Sequence, residues 1–246
     1  MQLWRPVEAI ESVLRPPLLL LHDSLGCVTL WRDFPALLCS ATGRRIVAYD
    51  RLGFGASAVR KGCLPLDFIE QESEDWPLLQ QALGFDEFVA LGHSVGGGMA
   101  LCGAARWPKA CRAVITLAAQ AFPEPQTLAG IRAARKFFAL PEQRTRLAKY
   151  HGKKVDWVLQ AWIETWLDPN FQAWSLQPTL PLVRCPLLLI HGKNDEYGSC
   201  IHPNTIARHS TGQSEQILLP DVGHNPHREQ TQPVVTAIKH FLQRHP

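Results

Sequence analysis

The stretch Phe88-Val89-Ala90-Leu91-Gly92-His93-Ser94-Val95-Gly96 decides the fold. Its four leading apolar residues read as a buried strand, and Gly97-Gly98-Met99-Ala100-Leu101 continues as a helix. The chain must turn sharply between them. Glycine two residues before and two after Ser94 permits this, because a Cβ at either place would strike the strand or helix beside it. The turn lifts Ser94 Oγ clear of the sheet and sets it at a helix N-terminus, where free N–H groups favour negative charge. This is the G-x-S-x-G pattern of a nucleophilic serine. The plainer alternative is a glycine-rich turn with a capping serine.

Working outward, short apolar runs recur at Leu18–His22, Arg45–Tyr49, Ala113–Ala118, Leu187–Ile190 and Gln216–Leu219. Such runs suit strands covered on both faces of a parallel sheet. Helix-like segments lie between them at Trp31–Ser40, Asp75–Leu83 and Ser94–Arg106, with a closing helix at Gln232–Arg244. The alternation predicts an α/β fold with a mostly parallel, doubly wound sheet. It breaks from Pro123 to Leu182. There Val155, Val158, Leu159, Trp162, Ile163 and Trp166 make an amphipathic helical stripe. The predicted organisation is a core of residues 1–122 and 183–246, interrupted by a helical cap at 123–182.

Composition narrows the classes. A chain of 246 residues with 46% hydrophobic and 19% charged residues is that of an ordinary soluble globular protein. A net charge of +3 with no long Lys/Arg block argues against nucleic acid. Leu18–Leu21 is too short for a membrane span. Charges at Arg5, Glu8, Glu11 and Arg15 interrupt the N-terminal stretch, so no secretory leader is expected. The cysteines at 27, 39, 63, 102, 111, 185 and 200 form no C-x-x-C pair and no zinc spacing. Reduced thiols in a cytoplasmic protein are the simplest account. Neither metal nor cofactor is expected.

An activated serine needs a base, and the base needs an orienting acid. His191-Gly192-Lys193-Asn194-Asp195 follows the Leu187–Ile190 strand, and Asp221-Val222-Gly223-His224 follows the next one. Both lie past the carboxyl ends of strands, the edge where open α/β sheets bind ligands. Asp195 is the expected acid, with Glu196 and Asp221 as alternatives. His224 is the expected base. His227 reads as a loop support, His22 and His191 as structural residues at strand ends, and His93 points away from Oγ because successive side chains diverge at a tight turn. The chain order is Ser94, Asp195, His224.

These stretches together resemble the α/β-hydrolase fold superfamily, in particular its small capped serine hydrolases of esterase, lactonase or thioesterase kind. The likeness covers nearly the whole chain. Leu18-Leu19-Leu20-Leu21-His22-Asp23-Ser24-Leu25-Gly26, followed by Leu30-Trp31-Arg32, resembles the strand and oxyanion loop. Asp50-Arg51-Leu52-Gly53-Phe54-Gly55-Ala56-Ser57 resembles the D-x-x-G-x-G-x-S turn. The resemblance implies a cap after the sixth core strand and an oxyanion hole built from the N–H groups of Ser24 and Val95. The N-terminus departs from the family pattern: few residues precede the Leu18 strand, so the usual first strands are expected to be short or missing. One departure is His22-Asp23 where the family has His-Gly. A carboxylate facing the oxyanion would oppose it, so the Asp23 side chain is expected to turn away and hold the loop. Relatives that remove halide or open epoxides use Asp as nucleophile, so Ser94 argues against those reactions.

The expected reaction is hydrolysis of a small carboxylic ester, thioester or lactone through an acyl-enzyme on Ser94. The same triad serves C–C bond hydrolases, perhydrolases and cofactor-free lyases, and could survive in a ligand sensor. The expected pocket comprises Leu25, His93, Trp162 and Trp166, although the two tryptophans also suit plain packing of the cap on the core. Between 130 and 154, Arg132, Arg135, Lys136, Arg144, Arg146, Lys149, Lys153 and Lys154 face only Glu142. They read as a solvated face, or as a field that steers an anionic substrate. The expected partner is a small acyl compound, and the chain a monomer or homodimer.

Overall fold

A computed structural model describes residues 1–6 and 15–245. Glu8 and Glu11 of the N-terminal reading lie outside the described residues. Seven strands among these residues form one sheet in the order β1-β3-β2-β4-β5-β6-β7. They are β1 (Gln2–Trp4), β2 (Leu18–Leu21), β3 (Ile46–Ala48), β4 (Phe88–His93), β5 (Cys111–Leu117), β6 (Leu187–Gly192) and β7 (Ser214–Leu219). Only β1 runs antiparallel, against β3, and every other pairing is parallel. The first strand is short, as expected.

The sheet is wound on both faces, and β2 shows why four leucines suffice. Successive side chains of a strand point to opposite faces. Leu18 and Leu20 pack with the helices Phe34–Thr42 and Thr231–Arg244, whereas Leu19 and Leu21 pack with the helix Val95–Arg106. No residue of β2, β4 or β6 is exposed. The two edge strands β1 and β7 have no buried residue, and β7 carries the polar Ser214, Glu215 and Gln216 that an uncovered edge tolerates.

The helices Pro125–Phe138, Pro141–His151 and Val155–Leu167 follow β5. This insertion therefore comes after the fifth strand among the described residues, not the sixth. The reason is that β1 is the only described strand ahead of β2. Side chains bolt these helices to the sheet's carboxyl edge. Lys154 Nζ donates to the carbonyls of Phe54, Gly55 and Ser57. His151 Nε2 donates to Leu25 O at 3.0 Å, while its Nδ1 accepts from Gly55 N–H at 3.0 Å. The glycine-rich turn that receives them is set by Asp50, whose carboxylate accepts from Val28 N–H at 2.7 Å and Ala56 N–H at 2.8 Å. All seven cysteines are free, and four are buried. No described helix is long and apolar enough to cross a membrane.

Candidate active site

Ser94 stands between β4 and the helix Val95–Arg106 with φ 56° and ψ −124°. A non-glycine residue in that region stores about 1–3 kcal/mol of strain. The flanking glycines explain why the strain is held. A Cβ on Gly92 would lie 2.0 Å from Gly96 O, and one on Gly96 would lie 2.1 Å from Leu21 O. Backbone meets backbone at both places, so strand, turn and helix fit only with hydrogen at these positions.

Three side chains from three strand ends meet here. Ser94 Oγ donates to His224 Nε2 at 2.9 Å. His224 Nδ1 donates to both oxygens of Asp195, each at 2.9 Å. All three are buried: Ser94 is 5% exposed, Asp195 3% and His224 8%. Asp195 Oδ1 also accepts from Tyr197 N–H at 2.8 Å, which aims the carboxylate. The His224 loop is held by two more carboxylates. Glu196 Oε2 accepts from His224 N–H at 3.3 Å, and Glu229 accepts from the N–H groups of Gly223 and Asn225.

Electrostatics follow this wiring. Burial alone would lower the His224 pKa, but the Asp195 hydrogen bond and charge, with the charges of Asp23 and Glu196, outweigh it and raise it above 6.5. Burial would raise Asp195, and the His224 hydrogen bond and charge bring it below its usual range instead. The acid stays ionised and faces the Nδ1–H of the ring. That leaves the Nε2 lone pair for the serine proton.

The other histidines take structural work. His22 Nδ1 donates to Asp23 O at 2.8 Å, and its Nε2 accepts from Arg51 N–H at 3.2 Å. His191 Nε2 donates to Gly198 O at 2.9 Å. The His227 ring packs against Trp31, Phe34 and His93. Asp221 is exposed at the end of β7, and Glu196 bonds the His224 backbone rather than its ring.

A cavity of about 750 Å³ opens over Ser94 and His224. Leu25, Trp162 and Trp166 line it, as do Ser24 and Asp23. Its roof is apolar, from Ile131, Ala134, Phe137 and Phe138 of the helix Pro125–Phe138. His93 is a correction: it does not line this cavity. Its ring lies behind the turn, where Nε2 donates to His224 O at 2.7 Å. Asp23 corrects the oxyanion-loop reading in part. It still borders the cavity with a side chain 22% exposed, but its Oδ2 lies 3.4 Å from His93 Nδ1. The Ser24 N–H and the first-turn Val95 N–H sit on opposite sides of the serine in chain order, one from the β2 loop and one from the helix start. Sequence reading missed Arg228, Asn225, Tyr197 and Gln120, all on the cavity wall. Tyr197 had a local signal, two residues past Asp195. The others come from loops that only the packed sheet edge brings together. No group of three or more His, Cys, Asp or Glu side chains among the described residues is arranged to hold a metal ion.

Comparison with known proteins agrees with this architecture. Residues 16–177 match the α/β hydrolase fold family. The chain is 31% identical over 222 residues to the serine hydrolase BPHL of Mus musculus, covering 86% of this chain and 74% of that protein. Among solved structures, a proline iminopeptidase of Mycobacterium smegmatis superposes with a TM-score of 0.75 at 21% identity, covering 99% of this chain and 94% of that one. A thermophilic esterase of Thermogutta terrifontis gives 0.74 at 22% identity, covering 100% and 93%. The chain belongs to the α/β-hydrolase fold family, and it is a hydrolase of that family.

Proposed function

We propose that the protein is a serine hydrolase that cleaves small carboxylic esters, thioesters or lactones through an acyl-enzyme on Ser94. The observation that carries this reading is the unbroken line from Asp195 through His224 to Ser94 Oγ at the floor of an apolar-roofed cavity. His224 takes the Ser94 proton as Oγ attacks the acyl carbon. The carbonyl oxygen becomes an oxyanion, which the Ser24 and Val95 N–H groups receive at the positive end of a helix. His224 then protonates the leaving alcohol or thiol, and water repeats the sequence to release the acid. The roof of Ile131, Ala134, Phe137 and Phe138 suits an apolar acyl or alcohol portion. The relative named a serine hydrolase supports the reaction class. Seven free thiols suit a reducing, cytoplasmic setting.

An organophosphonate probe tests the reading, followed by p-nitrophenyl esters of rising chain length. The expected adduct is on Ser94, with turnover in the wild type and none in Ser94→Ala. Absence of an adduct on Ser94 sinks the proposal. Labelling without turnover of any ester or thioester favours a ligand sensor.

A further inference from the structure

The geometry points to a second Asp–His unit: Asp23 and His93 form a positioning ion pair that holds the oxyanion loop and the His224 base in register across Ser94. This role rests on Ser94 acting as nucleophile. The pair joins three strand ends that are far apart in sequence. Asp23 follows β2, His93 ends β4, and the carbonyl that His93 holds belongs to His224, beyond β7.

The protonation of His93 can be read from its neighbours. Its Nε2 lies 2.7 Å from His224 O, which can only accept, so Nε2 carries a hydrogen. Its Nδ1 lies 3.4 Å from Asp23 Oδ2. Burial works to raise the Asp23 carboxyl, yet the hydrogen bond and charge of His93, with the charges of His22 and Arg228, hold it well below the usual carboxylate range. A carboxylate is ionised at neutral pH in its ordinary state, and Asp23 Oδ2 faces Nδ1 as an acceptor. With acceptors at both nitrogens, the ring is satisfied only when it carries both protons. A neutral ring would aim its Nδ1 lone pair at a carboxylate. Among the other side chains packed on the pair, Arg228 adds positive charge on the Asp23 side but stands at neither nitrogen of the His93 ring. His227, at 4.7 Å between ring centroids, is held neutral chiefly by burial, and the Trp31 ring packs T-shaped against His93.

The backbone of the loop leaves the carboxylate little freedom. Asp23 O accepts from His22 Nδ1 at 2.8 Å, Arg51 Nη2 at 2.9 Å and Gly26 N–H at 3.2 Å. A Cβ on Gly26 would lie 2.3 Å from Asp23 Oδ1, so the glycine three residues on makes room for the acid. Asp23 directly precedes Ser24, the proposed oxyanion donor. An unpaired carboxylate there would oppose the charge that develops in the transition state. Pairing with His93 cancels that charge and turns the side chain into a tie between loop, elbow and base.

The test uses the intact protein with 15N-labelled histidine. Long-range 1H–15N spectra near neutral pH, with His93→Gln to assign the signals, report the protons on each ring nitrogen. The expected wild-type His93 carries both, and in Asp23→Asn it carries one, on Nε2. A wild-type His93 with a single ring proton overturns the pair. Kinetics supply the second readout. Asp23→Ala should lose kcat by roughly 100-fold, with KM changed by less than about 3-fold, as misplacement of reacting groups predicts. Asp23→Asn should recover most of that loss, because its amide can donate to a neutral His93. Full kcat in a folded Asp23→Ala overturns the positioning role. If that variant does not fold, the wild-type spectrum alone decides. Labelled Ser94 with a singly protonated His93 sinks the pair only, whereas unlabelled Ser94 sinks the hydrolase reading beneath it.

Discussion

Asp195–His224 and Asp23–His93 are built from the same two residue types, at the same sheet edge, with the two imidazole centroids 5.1 Å apart. They differ in what lies at the far nitrogen. His224 Nε2 meets a hydroxyl, which can donate, whereas His93 Nε2 meets a carbonyl, which can only accept. They differ also in closeness, 2.9 Å to both carboxylate oxygens in one pair and 3.4 Å to one in the other. The first arrangement leaves a lone pair ready for a proton. The second leaves none. Whether a histidine acts as a base is therefore set by the group beyond it, not by the acid behind it.

The comparison breaks most visibly in turnover. Ser94→Ala and His224→Ala should each lose at least roughly 10⁴-fold in kcat, and Asp195→Asn about 10⁴-fold, measured on the best p-nitrophenyl ester. Asp23→Ala should fall well short of that. Equal losses at Asp195 and Asp23 would erase the distinction between reacting and positioning pairs. The elbow that keeps the two rings apart comes next. Gly96→Ala places a Cβ 2.1 Å from a backbone oxygen and should cost on the order of 3 kcal/mol or more in urea unfolding. Full stability there would show that the turn can relax.

A smaller effect sharpens the electrostatics. His224 must be neutral to accept the serine proton, and Asp195 raises its pKa by favouring the imidazolium. The acid limb of kcat/KM should therefore lie above pH 6.5 in the wild type and move down in Asp195→Asn. Asp23→Asn should move it down less, since Asp23 acts on His224 only through space. A limb that does not move in Asp195→Asn would mean that another group controls it. The smallest expected effect concerns the helices inserted after β5. Of the basic run at 130–154, Arg135 pairs with Glu164, Arg144 with Asp156, and Lys154 with carbonyls, while Arg146 lines the cavity and donates to Gln143. Arg146→Gln should change kcat/KM for a carboxylate-bearing ester by less than about 5-fold and flatten its salt dependence. An unaltered salt response would leave the run as a solvated face.

Much of this was legible in one dimension. Four-residue apolar runs can be buried on both faces only in a covered sheet, so Leu18–Leu21 and Leu187–Ile190 announced parallel strands. Gly92 and Gly96 announced the turn, because backbone contact excludes any side chain there. Ser94, Asp195 and His224 each follow such a run directly, and a parallel sheet carries every such position to one edge. The fold class and the three meeting residues were thus determined by local pattern and chain order. The partners of His93 and Asp23 were not, nor were Arg228 and Tyr197 on the cavity wall, nor the fifth-strand position of the insertion. Those depend on which loops the strand order 1-3-2-4-5-6-7 sets side by side. Asp23 and His93 are seventy positions apart in the chain, and no periodicity links them. The pairing of β2 with β4 brings a carboxylate and an imidazole to within 3.4 Å, and the packed edge leaves one histidine facing the serine hydroxyl and its neighbour facing a carbonyl.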